Sequence, residues 1–360
     1  MSGSVSASRQ EGLTMVELLV AMVLGLFLMA GTLQLFLGSN RLYRFQEGLS
    51  SVQENARAVS EFIARDIRMG GFTGCHRSVP VANVLNDPSA RWWTDFASGA
   101  VIGYEGNEAF PGQAFGSDIG DRVAGTDALV LLGAGRQGYT IVQHVATAAQ
   151  FKINQLHHLQ DGSIVMVCDA RQASILQLTN VNTSNVTLVH NTGTETPGNC
   201  TKGLGSPVEC TANGTPYEYG PDSIMFDFTP IAYYVGNGET GLSLFRVSLE
   251  PGSSTPQAFE LVEEVEDMQL HYGIDSDADG WVDPDYLDAS AVTDWGMVRS
   301  VRVNLLLASR QDHLTEDQPW VVFPAADTGE ANKAGAGFQA ADWRVYQSLS
   351  KTVALRNRLQ

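Results

Sequence analysis

An acidic segment in the second half of the chain has the residue spacing of a calcium-binding loop. Its aspartates stand at alternate positions, and a glycine follows where a sharp turn brings the carboxylates together. Carboxylates this close repel one another unless a cation lies between them. The sequence therefore predicts a structural calcium site, with a solvated acidic turn as the alternative. The predicted ligands are Asp275, Asp277, Asp279, the carbonyl of Trp281 and Asp283.

The twelfth position of this loop departs from the calcium-binding pattern. A bidentate glutamate is expected there, whereas the chain has Tyr286, so Asp285 or Asp288 would have to supply the last ligand. We therefore expect weak binding, in the range typical of extracellular calcium modules.

A single carboxylate, that of Glu17, stands at the head of a long apolar segment. Between Gly12 and Arg41 no other charged residue occurs, and roughly 20 helical residues span the ~30 Å core of a bilayer. A carboxylate in such a segment is costly unless it reaches the interface or finds a partner, so it marks a functional position. In a water-free bundle of such helices, Glu17 would need a positively charged partner.

The segment Gly12-Leu13-Thr14-Met15-Val16-Glu17 resembles the type IV prepilin (class III) signal. The resemblance implies that residues 1–12 are a leader, that prepilin peptidase cuts between Gly12 and Leu13, and that Leu13 is then N-methylated. An ordinary secretory signal would have a basic leader and a shorter apolar core. A plain membrane anchor fits the length but leaves Glu17 unexplained.

The helical pattern continues beyond the apolar segment. Apolar residues three or four positions apart form one stripe on a helix, and Gly70-Gly71 supply the stop. The sequence predicts one helix over residues 13–70, of which residues 13–40 cross the membrane and residues 41–70 are amphipathic. The stripe consists of Leu49, Val52, Ala56, Val59, Ile63 and Ile67.

The remainder of the chain, residues 71–360, has short strand-like runs between turn residues. This pattern predicts an α+β, pilin-like fold in which the long N-terminal helix packs on a large antiparallel β-rich head. Residues 87–120 and 191–219 are predicted to be loops. The predicted strands are 128–132, 139–145, 162–168, 174–178, 186–189, 224–228, 232–235, 244–249, 261–272, 298–309 and 351–355.

Charge and cysteine content narrow the classes of function. The 40 acidic residues outnumber the 22 basic ones, for a net charge of −18, which argues against a nucleic-acid partner. The four cysteines lack zinc-site spacing and indicate two disulfides in an oxidising compartment. Of three possible pairings, the short Gly/Pro-rich loop favours Cys200 with Cys210, which leaves Cys75 with Cys168.

Four further segments resemble PilW-type minor pilins: residues 62–75, 270–275, 298–303 and 352–358. The resemblance implies a single-pass inner-membrane protein with a periplasmic head, which is incorporated into the type IV pilus and helps to initiate or cap it. The implied partners are other minor and major pilins, prepilin peptidase and the inner-membrane assembly platform.

Two other functions share parts of this pattern. A type II secretion minor pseudopilin has the same signal, helix and head. A pilus-associated adhesin would expose aromatic side chains in the middle of the chain, for which Trp92-Trp93 are candidates. The sequence contains no G-x-S-x-G elbow, P-loop or H-E-x-x-H motif, so we expect a structural and not a catalytic protein.

Overall fold

The computed structural model describes residues 14–74, 79–193, 196–250, 252–253, 255–324 and 337–356. Within them lie one α-helix, α1 (Met15–Met69), and 18 strands. The strands are β1 (Val81–Asn83), β2 (Val101–Tyr104), β3 (Ala128–Leu131), β4 (Ala134–Val145), β5 (Gln150–Ile153), β6 (Ile164–Cys168), β7 (Ala173–Gln177), β8 (Asn180–Val181), β9 (Thr187–Val189), β10 (Ile224–Phe228), β11 (Ile231–Asn237), β12 (Leu242–Ser248), β13 (Gln257–Glu263), β14 (Val265–Ile274), β15 (Val298–Ala308), β16 (Trp320–Val322), β17 (Gly337–Gln339) and β18 (Tyr346–Ala354).

Helix α1 begins and ends at residues suited to those positions. Thr14 caps the N terminus through its side chain, and the backbone N–H of Gly70 donates to the carbonyls of Asp66 and Ile67. Gly71 then takes a φ of 74°, a left-handed conformation that glycine adopts without strain. The chain thus leaves the helix in a sharp turn and enters the head.

The second half of α1 packs on the head along the predicted stripe. Val52, Ala56, Val59, Ile63 and Ile67 are all buried, and Leu49 at the start of the stripe is partly buried. The buried residues form a core with the facing strands of two sheets. The stripe predicted from helical periodicity is therefore confirmed, and it fixes the helix to the head by apolar burial.

Most strands of the head lie in three sheets. The largest has eight strands in the order β1-β7-β6-β10-β4-β5-β9-β8, the second five in the order β13-β12-β11-β3-β2, and the third three in the order β14-β15-β18. Strands β16 and β17 form a separate hairpin-like pair. Apart from the parallel pair β1–β7, the strand pairs in the described part of the chain are antiparallel.

The five-stranded sheet lies between two cores. On β3, Leu129 and Leu131 face the core beneath α1, whereas Ala128 and Val130 face a second core shared with the eight-stranded sheet. A third core covers the other face of the eight-stranded sheet and includes Leu204 from a loop. The helix, the sheets and this loop are therefore stacked as layers, as expected for an α+β domain.

One predicted strand, 261–272, is in fact two strands in different sheets. The break is at Glu264, whose φ of 68° is unusual for a residue with a side chain. The Glu264 carboxylate accepts hydrogen bonds from Ser51 (2.9 Å) and Asn55 (3.1 Å) of α1. These contacts hold the chain at the break, and local patterning could not reveal them.

Candidate functional site

The N-terminal half of α1 presents an apolar surface that the head does not cover. Every large apolar side chain from Met15 to Tyr43 is at least half exposed. This part of the helix is long and apolar enough to cross a membrane. An exposed apolar surface of this extent requires lipid or other apolar helices around it.

Glu17 is held at the start of this helix by Thr14. The backbone N–H and the hydroxyl of Thr14 each donate to Oε2 of Glu17 at 2.9 Å, and the Glu17 N–H donates to the Thr14 hydroxyl at 3.3 Å. This reciprocal capping box places the carboxylate in the first turn, near the positive end of the helix dipole. Gly12 and Leu13, the predicted processing site, lie outside the described residues.

The acidic loop, residues 275–283, brings three of its predicted ligands together. One carboxylate oxygen from each of Asp275, Asp277 and Asp279 lies within 4.8 Å of the others. Asp275 is buried, whereas the other two are exposed. The Trp281 side chain points to solvent and is 77% exposed. The loop begins directly after β14, so the sheet fixes its first ligand.

The far end of the loop does not supply the twelfth-position ligand. The Tyr286 hydroxyl is hydrogen-bonded to Ser300 at 2.8 Å. The Asp288 carboxylate lies 3.4 Å from Nε2 of His271, and Asp285 is exposed. Of the five predicted ligands, the structure brings together the three carboxylates of Asp275, Asp277 and Asp279.

Arg299 on β15 is a neighbour of this loop that spacing did not reveal. Its Nε lies 3.3 Å from Oδ2 of Asp275, and its Nη1 donates to the Gly296 carbonyl at 3.0 Å. The antiparallel pairing of β14 with β15 brings Arg299 beside the loop. The only sequence signal was a basic residue at the start of a strand predicted to follow the loop.

Comparison with known proteins identifies both ends of this arrangement. A family model described as Type IV Pilus-assembly protein W matches residues 232–357, and the prokaryotic N-terminal methylation motif matches residues 7–33. The first match contains the acidic loop and the second contains Gly12 and Glu17. Together the two matches support a PilW-type minor pilin of the type IV pilus.

Other comparisons add little to these matches. Among solved structures, a type IV-like pilin from Thermus thermophilus is similar at 12% identity, over 56% of this chain and 87% of that chain, with a TM-score of 0.22. No curated protein matches the chain. The two family matches support a part in type IV pilus assembly, and the apolar helix supports association with the membrane.

The chain contains the predicted Cys200–Cys210 disulfide, with 5.0 Å between the Cα atoms. Cys168 is buried and also disulfide-bonded, but Cys75 lies outside the described residues, so its pairing stays a prediction. A Cβ atom built on Gly74 would lie 3.1 Å from Sγ of Cys168. The chain just before Cys75 therefore runs against Cys168.

The paired tryptophans, Trp92 and Trp93, do not form an exposed platform. Trp93 is only 5% exposed, and the Trp92 ring packs 5.8 Å from the ring of Phe110. Both side chains belong to the core between two sheets or pack against it. This pair therefore gives no support to the adhesin alternative.

Proposed function

We propose that this PilW-type pilin is held in the inner membrane with its head in the periplasm, and that it enters the pilus as part of an initiating or tip complex. The observation that carries the proposal is the division of α1 into an uncovered apolar half and a half that is built into the head. At 1.5 Å per residue, the 55 residues of α1 extend over about 80 Å. That length is sufficient to reach from a membrane or filament core to the head.

The proposed role is structural and not catalytic. In a membrane, lipid surrounds the apolar half of α1; in a filament, the apolar helices of neighbouring pilins replace the lipid. The helix can move from one environment to the other without exposing its apolar side chains to water, which would cost about 25 cal/mol per Å². Assembly with other minor and major pilins, after processing by prepilin peptidase and on the inner-membrane platform, uses this property.

Glu17 gives that exchange its specificity. A carboxylate in a water-free bundle is stable only beside a positive group, and the N-terminal amine of a neighbouring mature pilin is such a group. Cleavage before Leu13 would leave Thr14 as the second residue and Glu17 as the fifth, so the new amine would stand four positions, about one helical turn, before Glu17. Their pairing sets the axial register between subunits.

The size of the head favours the pilus end over the shaft. Helices in a bundle pack about 8–10 Å apart. A compact head of about 290 residues has a radius of gyration of about 19 Å. Heads of this width cannot all surround a bundle at the spacing of its helices, whereas a subunit at the end has free space above it.

Electron microscopy of pili tests this proposal. Gold-labelled antibody against a tag in the full-length chain should mark one end of each filament, and mass spectrometry should find the mature chain starting at N-methylated Leu13. Gly12→Val should leave the precursor in the membrane and the filaments unlabelled. Labelling along the whole shaft would contradict an end position, and co-purification with a secretion complex alone would favour the pseudopilin alternative.

A further inference from the structure

The acidic loop has the dimensions of an oxygen-lined cation site. Calcium binds oxygen at about 2.3–2.6 Å, so two ligands on opposite sides of the ion lie about 5 Å apart. The oxygens of Asp275, Asp277 and Asp279 lie within 4.8 Å of one another. Oxygens at this spacing can share one ion after small side-chain shifts.

Asp275 supplies an observation that points to a bound cation. Its side chain is 2% exposed, and its Oδ1 has no hydrogen-bond partner in the described part of the chain. Oδ2 is occupied by Arg299, so Oδ1 is the oxygen left for another positive group. A buried polar atom without a partner costs about 1–3 kcal/mol, and more when it is charged.

The backbone holds the other two carboxylates in place. Oδ1 of Asp277 accepts from the N–H of Asp279 at 3.3 Å, and Oδ1 of Asp279 accepts from the N–H of Trp281 at 2.8 Å. The N–H of Asp283 donates to the Ile274 carbonyl at 2.7 Å and closes the loop. The negative groups are thus kept together although Arg299 offsets only one charge.

We propose that the acidic loop binds one calcium ion through Asp275, Asp277, Asp279, the Trp281 carbonyl and Asp283. The loop offers five ligands without a bidentate glutamate, and the nearby Arg299 repels a cation. We therefore expect a dissociation constant of about 10⁻⁴–10⁻³ M. Magnesium, which needs a near-ideal octahedron at about 2.0–2.1 Å, is expected to bind less well in this open loop.

Terbium luminescence provides a direct test, because Tb³⁺ takes calcium sites and nearby tryptophan sensitises its emission. The full-length protein in detergent, stripped with chelator, should show Tb³⁺ emission on indole excitation, and millimolar calcium should remove it. Trp281→Phe should lose at least about half of the emission. The same variant should still bind calcium in a calorimetric titration, since the ligand at this position is a backbone carbonyl.

The ligands themselves are tested with Asp277→Asn and Asp279→Asn together. Asparagine keeps the side-chain oxygen that accepts the loop N–H, so the fold should be retained, with equal melting temperatures in chelator as the check. The control pair Glu239→Gln and Glu250→Gln removes the same charge from exposed positions elsewhere. We expect the aspartate pair to weaken calcium binding at least about tenfold and the control pair to leave it unchanged.

Three results would overturn the inference. They are no calcium binding by the wild type up to 10 mM, equal binding by wild type and the asparagine variant, or equal weakening by the control pair. Should the asparagine variant fail to fold, the wild-type titration and Trp281→Phe still decide. None of these results bears on pilus entry, so this inference and the pilus role can fail separately.

Discussion

The carboxylate of Asp66 on α1 accepts a hydrogen bond of 2.7 Å from the hydroxyl of Tyr233 on β11. The same carboxylate lies 3.4 Å from Nε of Arg246 on β12 and 3.3 Å from Nε of Arg65. Burial, together with the negative charge of Asp66, raises the pKa of Tyr233, which therefore remains a donor. This buried polar contact fixes where the end of the helix docks on the five-stranded sheet.

Removal of the Asp66 carboxylate should therefore loosen the helix end. Asp66→Ala leaves the Tyr233 hydroxyl and the half-buried Arg246 without their acceptor, and we expect it to lower the free energy of unfolding by about 3–5 kcal/mol. Glu61→Ala, an exposed change on the same helix, should stay within about 0.5 kcal/mol. Denaturant unfolding of the full chain in detergent measures both. Equal stabilities would show that apolar packing alone docks the helix.

Gly48 is expected to be required for the close approach of α1 to the loop after β15. A Cβ atom at Gly48 would lie 2.6 Å from Cδ1 of Leu314 and 3.3 Å from Cβ of Ser309. Gly48→Val should thus destabilise the protein by about 1–3 kcal/mol, as overpacking does. Adding Leu314→Ala should recover part of the loss in a double-mutant cycle. Gly38→Val, where the added Cβ meets no atom within 4 Å, is the control.

Asp127 should make stability depend on pH. Burial raises its pKa from 3.8 to about 8, and nearby Glu105 adds to the effect. The folded state therefore holds a proton that the unfolded chain releases above pH 3.8, so stability is lost as pH rises toward 8. Asp127→Asn cannot titrate. Its stability relative to wild type should rise by about 1.4 kcal/mol per pH unit between pH 4 and 8.

Unfolding of both proteins at several pH values checks this prediction, because other titrating groups cancel in the difference. The asparagine can still accept the Leu270 N–H, which donates to Oδ2 of Asp127 at 2.7 Å. A difference that does not change with pH would mean that Asp127 is ionised in the folded protein.

Loss of the Cys200–Cys210 disulfide should have a modest effect. A loop of about 10 residues gives close to 3 kcal/mol in the chain-entropy model. The loop is also held by hydrogen bonds from Gln172 and Ser174 to the Leu204 carbonyl, at 2.6 and 2.8 Å. We therefore expect Cys200→Ser with Cys210→Ser to cost about 1–3 kcal/mol in thermal unfolding, measured under non-reducing conditions.

The predicted Cys75–Cys168 disulfide closes a much longer loop and should contribute more, up to about 4.7 kcal/mol. Non-reducing peptide mapping tests the pairing itself. A peptide that links Cys75 to Cys200 or Cys210 would contradict it, as would a larger loss from the Cys200–Cys210 change than from replacing Cys75 and Cys168.

Features that depend on neighbours in the sequence were predictable. The stripe on α1 repeats every three or four residues, and most of the predicted strands have apolar runs bounded by turn residues. The calcium-loop spacing likewise located three aspartates that lie together. Strands β1 and β2 were not predicted, because each is short and its hydrogen-bonding partner, β7 or β3, lies at a distance along the chain.

Arg122 illustrates what could not be predicted. Arginine is usually exposed, but this side chain is fully buried and donates to the carbonyls of Glu105, Glu108 and Thr126. These bonds organise a segment that reads as loop. Arg299 beside Asp275 is a similar case, since both depend on chain segments that meet only after folding.

Incorporation of Glu17→Gln into pili tests the central claim, that the Glu17 charge couples this pilin to its neighbours. Glutamine at this position preserves the capping box with Thr14 but has no charge to offer an N-terminal amine. Glu47→Gln, farther along α1, serves as the control. The quantity to measure is the ratio of mature chain in sheared pili to chain in the inner membrane. We expect equal membrane levels and processing at Leu13 for all three proteins, with a pilus ratio lowered about tenfold or more for Glu17→Gln only, as a loss of about 1.4 kcal/mol or more would give. A wild-type ratio for Glu17→Gln would contradict the claim.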